Sequence, residues 1–147
     1  MREKAAAAKA AAAKVAAQEA IAHKAAQRHR AARQAHKAAR LKADKAVAML
    51  AELKAKLATA ETQADKAHVV LDMTTDATGA RKARQAVADA SRRAAEADAH
   101  LKSVATEAHA LLQETDHSQE AVDQAKRSLA HARAAEKVSW SRARRLT

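Results

Sequence analysis

Lysine and arginine are the side chains of this sequence with the most chemistry to offer, and they are unevenly spread. Residues 1–45 hold 12 Lys and Arg against 3 Asp and Glu, a net of +9, and residues 126–147 hold 7 against 1, a net of +6. The intervening 46–125 holds 9 against 13, a net of −4. Lys24, Arg28, Arg30, Arg33, Lys37, Arg40 and Lys42 in the first stretch, with Arg142, Arg144 and Arg145 in the second, are the candidate phosphate-contacting residues. Such groups displace the counterions condensed on a nucleic acid, so binding is salt-sensitive and indifferent to base sequence. The expected partner is therefore nucleic acid. An acidic protein or an anionic membrane surface is the secondary expectation, since either would satisfy the same charges.

Catalytic and metal-binding patterns fail on spacing. Glu114-x-x-His117 has the separation used in carboxylate-bridged di-iron bundles, but that chemistry needs a second such pair and two further Glu at the same level. Asp65-x-x-His68, the nearest echo, lies far along the chain. His29 and His36 stand two helical turns apart, too distant for one ion, and no His-x-x-x-His occurs. Gly79-Ala80-Arg81-Lys82 lacks the glycine-rich loop and the Lys-Ser/Thr ending that cradle a phosphate chain. No zinc finger, glycine-aromatic RNA platform or compact helix-turn-helix core can be traced. These absences predict a protein that is not an enzyme, with no cofactor, metal or small-molecule substrate. Its binding would be weakly specific.

The elements that must hold the basic residues follow from composition. Of the residues counted as hydrophobic (48%), 48 are Ala, and only 23 are Val, Leu, Ile, Met or Trp. There is no Pro, Cys, Phe or Tyr, and one Gly. Ala, Leu, Lys, Arg and Glu favour helix, while a core this poor in large side chains yields little burial energy against the backbone entropy of folding. The chain should be helical nearly throughout and modestly stable.

Apolar positions then fix the pairing. Leu50, Leu53, Leu57, Ala60, Ala64, Ala67 and Leu71 recur at alternating spacings of three and four, as do Val87, Ala90, Ala94, Ala97, Leu101, Val104, Ala108 and Leu111, continuing through Val122, Ala125, Leu129 and Ala132. These are a and d positions of a coiled coil. Folding back near Gly79 places each opposite a residue whose number makes the sum 154, so that Leu57 meets Ala97, Leu53 meets Leu101 and Ala25 meets Leu129. The predicted fold is all-α, a long antiparallel two-helix coiled-coil hairpin with an alanine-rich core. Residues 1–75 form its first arm, 76–79 the turn and 80–147 the second arm. Asp76, Thr78 and Gly79 supply capping and terminating residues. A weaker signal at Asp116 and Gln119, suited to a capping box, marks residues 115–119 as the place for any bend or break in the second arm. Flanking charges agree with the register, bringing Lys54 near Asp98, Glu19 near Arg133 and Lys42 near Glu114.

Val47, Met49 and Leu112 fall outside a and d and widen the apolar stripe beyond what one seam covers. They are the candidate self-association residues, with a four-helix homodimer as the expected product. No stretch approaches the roughly 20 apolar residues of a membrane span, and the start of the chain has no apolar signal core. A cytoplasmic location is expected. The sequence thus predicts a non-enzymatic basic coiled coil that binds nucleic acid in a packaging, scaffolding or accessory role. Its alternative is a spacer or adaptor that engages a protein partner instead.

Overall fold

A computed structural model describes residues 1–146. Two α-helices, α1 (Arg2–Met73) and α2 (Ala77–Leu146), pack against each other as an antiparallel hairpin. Residues 115–119 lie inside α2, which is helical there without a break. The potential cap at Asp116 is overridden because the three-four rhythm of core positions continues through Thr115 and Ser118, so no new helix phase is needed.

The turn is shorter and earlier than 76–79. Asp76 is the N-cap of α2: its Oδ2 accepts from the Gly79 backbone N–H at 2.8 Å, and its carbonyl accepts from Ala80 N–H at 2.9 Å. Gly79 is consequently the third residue of the helix rather than part of a loop, and its φ is negative. Glycine leaves room here for the capping side chains, which a larger residue would have to displace. A Cβ there would lie 2.6 Å from Asp76 Oδ1 and 2.8 Å from Thr74 Cγ2. On the other side Thr74 closes α1, donating its hydroxyl to Val70 O at 2.6 Å and its backbone N–H to Leu71 O at 3.2 Å.

The chain divides into two compact units, each built from a length of both helices: unit 1 is Met1–Ala39 with Glu114–Thr147, and unit 2 is Arg40–Gln113. In unit 1, burial recurs at Val15, Gln18, Ala22, Ala25, His29, Ala32, His36 and Ala39 of α1, and at Thr115, Ser118, Val122, Ala125, Leu129, Ala132, Glu136 and Ser139 of α2. Two direct contacts verify the register there. Ala22, Ala25, Leu129 and Ala132 form one cluster, and His36 Nδ1 lies 2.9 Å from Ser118 Oγ. Each of these pairings sums to 154. Leu129 fills the space left by small Ala neighbours, the large-against-small matching that dense packing needs.

Within unit 2 the same rhythm runs through Ala43, Ala46, Leu50, Leu53, Leu57, Ala60, Ala64, Ala67 and Leu71, and through Ala83, Val87, Ala90, Ala94, Ala97, Leu101, Val104, Ala108 and Leu111. Ala43, Leu53, Ala83, Ala90, Val104 and Ala108 are the buried apolar residues of this unit and none is completely enclosed, so the seam is one layer thick. The charge pairing expected across it does not form. Asp98 Oδ2 instead meets Lys102 Nζ at 2.9 Å, one turn along α2, and neither Lys54 nor Glu19 makes an ion pair among the described residues. An acid followed four residues later by a base on one helix needs less ordering of side chains than a bridge across a seam.

Candidate nucleic-acid interface

Heptad position decides which basic side chains can act together. With His29 and His36 at a in α1, and Leu129 at a and Ala132 at d in α2, the g positions of both helices border one flank of the seam and the e positions border the other. On the g flank of unit 1, Gln18, Ile21, Lys24, Ala25 and Arg28 face Arg127, Ser128, His131, Ala132 and Ala135 across an open groove of about 680 Å³. Ala25, Arg28 and Ser128 also border a smaller groove of about 270 Å³, completed by Ala121, Gln124 and Ala125. No Asp or Glu lines either groove.

The ten basic residues singled out from the sequence are all exposed, but the structure does not gather them into one patch. Lys24 and Arg28 join in the groove just described. Arg33 is at e, on the opposite flank, while Arg30 and Lys37 are at b, on the outer side of α1. Arg142 borders a separate groove with Lys14 and Ser139 on the g flank. Arg144 lies with Glu19, Val15 and Trp140 around an open groove of about 400 Å³ on the e flank. Arg145 is exposed near the end of α2, and Arg40 and Lys42 belong to unit 2.

Arg127 and His131 complete the groove and were not among the expected residues. His131 at c borders the g flank as Lys24 does, whereas Arg127 is at f and lines the groove from further round α2. Counting charge by stretches of chain hides which flank each base occupies.

Charge is also partitioned between the units. Unit 1 carries 16 Lys and Arg against 7 Asp and Glu, a net of +9, and unit 2 carries 12 against 10, a net of +2. Lys24, Arg28, Arg30, Arg33, Lys37, Arg40, Lys42, Arg142 and Arg145 make no ion pair among the described residues.

His36 shows where a proton must sit. Ser118 Oγ donates its single proton to Thr115 O at 2.7 Å, so it can only accept from His36, and Nδ1 carries the hydrogen in this contact. His117 Nδ1 lies 3.9 Å from Glu120 Oε2, one turn along α2 from it. Among the described residues no group of three or more His, Cys, Asp or Glu is placed to hold a metal ion, and no helix is long and apolar enough to cross a membrane.

Val47, Met49 and Leu112 are all about half exposed, at 45%, 50% and 46%. They do not share a flank. Val47 and Leu112 are e residues, next to half-buried Ala105, whereas Met49 is at g on the other side. Comparison with protein-family models, curated proteins and solved structures finds no match to the chain.

Proposed function

We propose that the protein is a non-enzymatic nucleic-acid-binding coiled coil that contacts phosphates through unit 1, with little sequence preference, in a packaging, scaffolding or accessory role. The observation that carries this reading is the net +9 of unit 1, displayed on exposed side chains around the helices rather than neutralised within them. Bases spread around a helix suit a polyanion approached from several directions and give no device for reading base edges.

The test is retention of a duplex of mixed sequence as salt rises. Neutralising about six phosphates predicts a loss in affinity of roughly a thousandfold between 50 and 200 mM salt. Glu at Arg28, Arg33 and Lys37 together should weaken all sequences alike, while Glu at Lys54 and Lys56 should change little. Absence of retention at 50 mM salt would leave the spacer or adaptor reading in its place. That alternative has its own support in the exposed Val47, Ala105 and Leu112 flank, which offers a second copy or another protein an apolar surface.

A further inference from the structure

The g-flank groove of unit 1 has a property that phosphate binding does not use. Its floor is apolar, with Ala25 and Ala132 buried and Ile21 half exposed beside Ala135, and its walls carry Lys24, Arg28, Arg127 and His131 with no acid. With the adjoining groove it spans residues 18–28 of α1 and 121–135 of α2. At 1.5 Å per residue that is about 15 to 20 Å, or three to four helical turns.

From this arrangement we propose that the groove docks an acidic amphipathic helix of a partner protein, converting the two-helix seam of unit 1 locally into a three-helix bundle. The occupant is set by complementarity to both parts of the groove. An apolar ridge recurring at i, i+3, i+4 and i+7 rests on Ile21, Ala25, Ala132 and Ala135, and flanking carboxylates meet the Lys and Arg walls. Small residues on the floor let a third backbone come close, and the large Ile21 supplies the contact they lack. Phosphodiester backbone would answer the walls and leave the floor wet.

This inference is independent of the phosphate reading, and one set of variants separates them. The probe is a labelled synthetic peptide of about 21 residues with Leu at the ridge positions and Glu and Ala elsewhere, and its control is a scrambled peptide of identical composition. Fluorescence anisotropy with the full chain should show the patterned peptide binding about tenfold or more tighter than the scramble. Arg28→Glu with Arg127→Glu should lower that affinity by about tenfold or more. Ser128→Trp, which fills the groove without changing charge, should do the same while helicity measured by circular dichroism is retained. Arg33→Glu with Arg133→Glu reverses as many charges on the e flank and should leave the peptide bound. Both double reversals should weaken duplex retention alike. Equal binding of patterned and scrambled peptides overturns the inference, as does equal loss from the two double reversals, or loss of duplex retention by Ser128→Trp with peptide binding intact. Failure to retain duplex with the peptide results as stated overturns the phosphate reading alone.

Discussion

At the residue scale the turn holds the sharpest energetic coupling. Asp76→Ala should cost about 1 kcal/mol through the lost N-cap. Gly79→Ala would ordinarily stabilise a helix by up to about 1 kcal/mol, but here the new methyl collides with the Asp76 carboxylate and displaces the cap. Urea unfolding of both single variants and the double should therefore be non-additive, with Gly79→Ala more favourable when Asp76 is already Ala and only the Thr74 methyl remains to move. Additive effects would mean the carboxylate moves aside freely. The glycine was legible as punctuation and its reason was not, since a residue crowded at the third helical position and a residue in a loop leave the same letter in the sequence. A second residue-scale test concerns His36 and Ser118. Their hydrogen bond is half-buried in the seam, and replacing both partners by apolar residues removes polar groups without stranding either. The pair His36→Leu with Ser118→Ala should raise stability by about 1 kcal/mol or more, whereas Ser118→Ala alone should lower it. A double variant less stable than the wild type would show that the polar contact contributes more than the core it displaces.

At the scale of elements, the helices were legible because alternating spacings of three and four survive even when most of the positions are Ala. The sum of 154 follows from that pattern and one fold-back point, and the Leu129 cluster and the His36 contact obey it. In unit 2 the same rule places Ala64 opposite Ala90. Small side chains allow close approach, so Ala64→Cys with Ala90→Cys should oxidise to an intramolecular disulfide, visible as faster migration on non-reducing gels. Ala64→Cys with Arg93→Cys, one turn away, should not, because bridged Cα atoms must lie within about 7 Å. Crosslinking of the second pair and not the first would refute the register in this unit. Flank charges were less legible than the core. Lys54 and Asp98 satisfied the pairing rule on paper, yet Lys102 competes for the same carboxylate from the same helix. Exposed pairs of either kind contribute only about 0 to 1 kcal/mol, so sequence spacing across a seam does not decide between them.

For the whole molecule, the division of charge means that self-association should depend on which surface is altered. Two unit 1 surfaces, each carrying much of a net +9, repel one another, so a dimer is expected to form through unit 2, at the flank bearing Val47 and Leu112. Sedimentation at about tens of micromolar should show a dimer that Val47→Glu with Leu112→Glu dissolves and that Met49→Glu leaves intact. A dimer lost equally with Met49→Glu would place the contact elsewhere. The basic site was read from the sequence as ten residues because net charge is a sum over stretches, but a helix distributes neighbours in sequence around its axis, which is why Arg30 and Lys37 separate from Arg28 and why Arg127 joins it. The constant pairing sum also restricts how such a gene can change length. Losing one codon from α1 within unit 2 rotates everything on one side of the gap by about 100° and breaks the match with α2. Losing seven keeps the apolar stripe but gives every residue beyond the gap a new partner, moving Leu53 from Leu101 to Ala94 for example. Only equal, facing losses of seven from both helices keep every remaining partner, so the present set of pairs survives a change in length only when both arms change together.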